Sequence, residues 1–362
     1  MRTSSLFFMK FSIVAAAIAT LVAVIPAQAQ SSSPDELTIQ LTPADHSAAL
    51  AAKVGAPHAY PANNAAGRAL RAGQFAERRP MNNASGDGHP GGTILRYSGD
   101  VTSLGGHVLT SAVSHAIYLQ RQTGSQCTIA TCWGDPEGFL RDIGRSDFIH
   151  VVDQYIGLFA ANRYTVGSHA TVTYSPQSTP LLDSDVQAFV HAVAAQSGAS
   201  GYGHIYHVFL PPGQDECFDA TSGVCYSPDN LATFYFCAYH SYADFPDIGH
   251  VIYTVHPYAN VLGCQVQPGT PNGELVNSID NALNHETFEA ITDPDLDAWR
   301  NEDAFYLYTY EIADECLFYV NVDGHGYYDV PTFLIGAHRY SVQLMYSNEQ
   351  HACSSAASRG NP

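Results

Sequence analysis

The sequence predicts a mixed α/β fold, a single domain with helices packed on a mixed sheet, and three observations predict it. Short β-branched and aromatic runs suited to strands recur along the chain. Stretches of helical periodicity interleave with them instead of segregating to one end. No internal repeat and no linker-like composition interrupts the pattern after residue 91, so one domain over 91–362 is the simplest account.

The elements follow in order. Residues 1–29 read as a secretory signal: Arg2 and Lys10 give a positive start, Phe11 to Ile25 is apolar but short for a membrane span, and Ala27-Gln28-Ala29 is a small-x-small cleavage site. Residues 30–90, rich in Ala, Ser, Pro, Asn and Gly, read as a flexible leader or pro-segment. Thr93 to Tyr97 and Ala116 to Leu119 are expected strands. Phe139 to Ala160 carries helical spacing, Thr171 to Tyr174 is a strand, and Ser184 is a plausible N-cap for a helix to Gln196. His204 to Leu210, Thr233 to Tyr239 and Val251 to Val255 are strands. An amphipathic helix runs from about Gly273 to Asp293, where Pro294 cannot continue it. A shorter helix is expected over Tyr310 to Leu317, and Tyr340 to Tyr346 closes the chain as a strand.

Composition narrows the function. The 362 residues carry a formal charge of -19, and Lys53 is the one lysine beyond Lys10. So acidic a chain does not suit nucleic acid or an anionic membrane as partner. The 22 tyrosines suit extracellular work and cell-wall carbohydrate contact. Eight cysteines (Cys127, Cys132, Cys217, Cys225, Cys237, Cys264, Cys316, Cys353) all follow the signal, an even number that suggests disulfides in an exported protein. Sequence does not settle the connectivity; joining neighbours gives 127–132, 217–225, 237–264 and 316–353. With no C-x-x-C, cysteine zinc fingers are not expected.

The chemistry concentrates in Asn284-His285-Glu286-Thr287-Phe288-Glu289-Ala290-Ile291-Thr292-Asp293-Pro294, an H-E-x-x-E pattern. On a helix His285 and Glu289 share one face, roughly 5–6 Å apart at Cβ, a workable bite for one ion. The same spacing with a second histidine is the zinc-peptidase motif, and a carboxylate is an accepted zinc ligand. Glu286 is then the general base for a water activated at the ion. Glu311 is the best third ligand, as a glutamate on the helix after H-E-x-x-H completes the site in thermolysin-like peptidases. Asp314 or Glu315 would hold the His285 ring from behind. Asp293 is a rival ligand, four residues past Glu289. One histidine and two carboxylates suit zinc but leave manganese, calcium or iron open. A second donor to a polarised carbonyl could come from His325, His338, Tyr306, Tyr308 or Tyr310. Asp293-Pro294-Asp295-Leu296-Asp297 alternates like half of a calcium loop, but Ala298 and Ala304 stand where the loop needs glycine and glutamate, so an acidic helix-ending turn is the expected reading and calcium the minor one. His204 and His207 must point to opposite faces of one strand. Of His240, His250 and His256, one could line the cleft.

Ser278 to Trp299, with His285-Glu286-x-x-Glu289, Thr292-Asp293-Pro294 and Ala298-Trp299, resembles the phosphate-induced protein, or EXORDIUM-like, family. So do Glu311-Ile312-Ala313-Asp314-x-Cys316 and the closing Val342-Gln343-x-x-Tyr346-Ser347-Asn348, and Cys217 to Cys264 looks like its bacterial members. The resemblance runs from about Gly91 to Cys353. It implies a secreted, zincin-like protein and, more loosely, proteolysis. The expectation is a secreted zinc endopeptidase acting on extracellular protein or peptide. The rival is a non-catalytic extracellular or cell-wall-associated, glycan-binding protein with a structural or vestigial metal site. There is no G-x-S-x-G elbow, no phosphate-binding glycine loop and no Cys/His protease pattern.

Overall fold

A computed structural model of the chain describes residues 37–67, 93–94, 100–123, 127–175, 179–301, 311–322 and 325–357. Its centre is a nine-stranded mixed sheet: β1 (Leu37–Gln40), β2 (Lys53–Val54), β3 (His58–Pro61), β4 (Ala112–Arg121), β5 (Tyr164–Val166), β6 (Ala170–Tyr174), β7 (His204–Phe209), β8 (Phe236–Phe245) and β9 (Gly249–His256). The spatial order is β1-β6-β4-β7-β9-β8-β2, with β5 pairing β4 and β3 pairing β8. β1, β6, β4, β7 and β9 run parallel; β8 turns back antiparallel on β9 and carries β2 and β3 antiparallel on its other edge. Four helices of eight residues or more are described: α1 (Pro43–Ala51), α2 (Pro136–Ile143), α3 (Asp183–Ser197) and α4 (Glu274–Thr292). The mixed α/β class is therefore as expected. Among the described residues no helix is long and apolar enough to cross a membrane.

Alternation along β8 and β9 gives the sheet two chemically different faces. Tyr239 and Tyr253 point to α3 and donate their hydroxyls to Asp183 at 2.7 and 3.0 Å. The residues between point the other way, toward α4. Register lines His58, His240, Thr254 and His207 up as a transverse row on that face, through His58↔His240, His240↔Thr254 and Thr254↔His207. His207 is fully buried there between Thr254 and Ser114, whereas His204 faces the opposite side and meets His115 at 3.0 Å.

Several elements depart from the sequence reading. The leader expected over 30–90 is, over 37–67, part of the domain: β1, α1, β2 and β3 lie in it, and His58, Ala59, Tyr60 and Pro61 are all buried. Low local periodicity misled because a four-residue strand leaves almost none. The helix expected over 139–160 breaks into α2, a 3₁₀ segment Asp147–Val152 and a single turn Asp153–Ile156. Gly144 sits where an added Cβ would lie 2.2 Å from Tyr164 O, and Ser146 Oγ caps the new segment at Phe148 N. α3 starts two residues early: Leu182, not Ser184, is the N-cap, with Asp185 reaching back to its N–H at 3.0 Å. Of the helix expected over 310–317, the 3₁₀ turn Asp314–Cys316 is described, and Tyr310 lies outside the described residues. The closing strand divides at Val342 into His338–Ser341 and Met345–Ser347. The neighbouring cysteines pair as expected: 127–132, 217–225, 237–264 and 316–353.

Candidate metal centre

α4 is not an amphipathic surface helix. It starts after Gly273, whose φ of +84° favours glycine, and from Asn277 to Thr292 it is buried on every side. Its polar residues are therefore obliged to find partners inside the protein. Asn277 Oδ1 and Asn281 Oδ1 each accept the backbone N–H of Ser341 and Gln343 at 2.8 Å, and Asn284 donates to Gln343 O at 3.0 Å. These asparagines, at i, i+4 and i+7, pin the chain between the strands His338–Ser341 and Met345–Ser347 along the helix.

The next positions carry the site. His285, Glu286 and Glu289 are at 0 % exposure, and so are Glu311 and Asp314. β3 and β8 bring His58 (3 %) and His240 (0 %) beneath them, ring centroids 5.3 Å apart. Two sets of donors could hold a metal ion: His285, Glu289 and Asp314; and His58, His240 and Glu289. In the first, His285 Nε2 lies 3.2 Å from Glu289 Oε1 and 3.6 Å from Asp314 Oδ1. Donors about 2.0–2.2 Å from a tetrahedral ion are themselves separated by about 3.4 Å, so this spacing is that of ligands around one ion. The Tyr60 ring lies tilted against that of His285, centroids 4.4 Å apart.

Electrostatics points the same way. Burial raises the Glu286 carboxyl well above the usual range, and Glu289 and Asp314 raise it further; the Tyr60 backbone N–H works against the rise. Burial and Asp314 do the same to Glu289, and burial with Asp293, Glu289 and Asp314 to Glu311. Burial opposes protonation of His58, but Asp314 and Glu289 raise it overall. His240 is pushed far down by burial and by His58 and His285. Among the described residues, neither oxygen of Glu286 or Glu289, and neither ring nitrogen of His240, makes a well-formed hydrogen bond. Buried polar atoms without such partners are costly, and divalent cations would supply what they lack.

The expected residues are thus gathered, in partly different places. His285 and Glu289 stand together. Glu311 lies 3.5 Å from His240 Nε2 and 3.6 Å from His58 Nδ1, on the side away from His285. Asp314, expected behind the His285 ring, faces its Nε2; Gln343 holds the ring from behind through Nδ1 at 3.2 Å. Asp293 closes α4, accepting the Ala298 N–H at 2.5 Å, and burial raises it to about 6. Asp295 is engaged with Tyr202 and His250. His338 is exposed and bonded to Asp142, away from the cluster. Tyr306 and Tyr308, and the side chain of His325, lie outside the described residues. Sequence reasoning missed His58, hidden in the supposed leader, and Gln343. A signal existed for the first: His58-Ala59-Tyr60 between Pro57 and Pro61 is a bounded strand-like run.

Comparison with known protein families, with curated proteins and with solved structures returned no match.

Proposed function

We propose that this chain is an exported metal-dependent hydrolase, with protein or peptide as substrate and zinc as the ion. The observation that carries the reading is Glu286: a fully buried carboxylate with no well-formed hydrogen bond among the described residues, next in sequence to His285 and raised in proton affinity by burial, Glu289 and Asp314. A structural carboxylate would be tied down by donors. A carboxylate left untied, with its proton affinity raised, suits a group that takes up a proton and returns it. An ion held by His285, Glu289 and Asp314 would acidify a water and polarise a substrate carbonyl. Glu286 accepts the proton of the attacking water and delivers it to the leaving amine. Export is supported by the N-terminal signal pattern and by four disulfides. The resemblance to the phosphate-induced protein family supports the same setting.

Complete burial of the cluster favours a second reading, a closed structural metal site in a non-catalytic extracellular protein such as a binder of cell-wall glycan. Glu286→Gln separates the two. The hydrolase reading expects peptide-library cleavage to fall by at least about 10²-fold while metal content and thermal stability stay at wild-type values. A wild-type protein that holds its metal tightly yet cleaves no peptide in the library rules that reading out in favour of the structural one.

A further inference from the structure

We infer that the centre is built for two divalent ions bridged by Glu289. This deepens the hydrolase reading and rests on it. The two oxygens of Glu289 face different donor sets. Oε1 lies 3.2 Å from His285 Nε2, on the side of Asp314 Oδ1. Oε2 lies 3.6 Å from His58 Nε2 and 3.8 Å from His240 Nε2. His58, His240 and Glu289 form the second set, and Glu311 Oε2 adjoins it, 3.5 Å from His240 Nε2. These separations are again those of ligands sharing an ion, about 3.4 Å for a tetrahedral site. Two-metal hydrolytic centres hold their ions about 3.5–4 Å apart, a span that one carboxylate bridges.

His240 is the independent observation. It is fully buried, both ring nitrogens lack a hydrogen-bond partner among the described residues, and its ring faces Glu289 and Glu311. A satisfied core histidine would bond through at least one nitrogen, as His207 does through both, to Thr254 and Ser114. Charge argues alike. Four buried carboxylates, Glu286, Glu289, Glu311 and Asp314, meet in one place, and unbalanced buried charge is prohibitively costly. Asp293, also fully buried, adds its charge to theirs, so one divalent ion leaves most of the charge unbalanced and a second offsets it. The sites are unequal, because His58 Nε2 also hydrogen-bonds Asp314 Oδ2 at 2.8 Å, a contact the second ion must displace. The set with His285 therefore fills first.

The test is cobalt loading of the full purified chain, read by elemental analysis and by electron paramagnetic resonance, beside His240→Ala and Glu311→Gln. The inference expects two Co²⁺ per chain, filling in sequence, with the signal attenuated by coupling at the second equivalent. Each variant should take one ion and show an uncoupled signal. Should either fail to fold, the wild-type stoichiometry and coupling still decide the matter. One ion in the wild type, unchanged in both variants, overturns the second site and leaves the single-ion hydrolase standing. No cobalt uptake overturns the metal reading itself, and the two-ion centre with it.

Discussion

His285 Nδ1 lies 3.2 Å from Gln343 Oε1, and the other end of that amide donates to Ala313 O at 2.8 Å. The donation identifies which end of the amide is nitrogen, so Oε1 is the atom facing the ring and must accept a proton from Nδ1. The His285 lone pair is then on Nε2, toward Glu289 and Asp314. Gln343 is a positioning residue that selects the metal-binding tautomer and ties the ring to the Asp314 turn. Gln343→Ala should weaken metal binding by about 10–100-fold, measured by competition with a chelator. The metal-free variant should keep the wild-type circular dichroism spectrum. Wild-type affinity in a folded variant would remove Gln343 from the site.

At the scale of elements, the asparagine row of α4 holds up the same arrangement. Asn277 and Asn281 accept the Ser341 and Gln343 N–H groups, and those backbone donors have no water to turn to in a fully buried seam. Asn277→Ala or Asn281→Ala should each cost about 1–3 kcal/mol, read as a shift of the urea midpoint at constant slope. An exposed, dispensable row would leave the midpoint unmoved. Here the limits of the sequence are physical. α4, β6 and β9 were legible because 5 to 19 residues of one element type stand above noise. His285 and Glu289 were legible as a pair because helical geometry alone relates i to i+4. His58 and His240 meet through strand pairing between residues far apart in the chain, and no local pattern encodes such a register. The partition of Glu311 and Asp314 was hidden for the same reason: a turn replaces the expected helix, and side-chain direction goes with it.

For the whole molecule, the sheet separates two buried acidic centres, and the one on the α3 face can be tested independently of the other. Tyr239 Oη contacts Asp183 Oδ1 at 2.7 Å and Glu216 Oε1 at 3.0 Å. One hydroxyl proton cannot serve both, so one carboxyl must bring its own. Glu216 is that group: burial and then Asp183 raise it well above the carboxylate range, while Asp183, also raised by burial, to about 6, is eased by Tyr239, Tyr253 and Gln187. Both native pKa values exceed those of the unfolded chain. The folded state thus holds more protons than the unfolded one from the ordinary carboxylate range upward, and stability falls as pH rises through 6 and beyond. Asp183 alone, moving from 3.8 to about 6, corresponds to a loss on the order of 3 kcal/mol at neutral pH. In Glu216→Gln the amide donates to Tyr239 Oη with no proton to lose. With the metal centre kept saturated, urea unfolding at pH 5 and pH 8 should show the wild type weakening with pH and the variant weakening less, so that the variant is the more stable at pH 8. Parallel pH dependences for the two proteins would mean that Glu216 is ionised in the native state and that the proton count at Tyr239 is wrong.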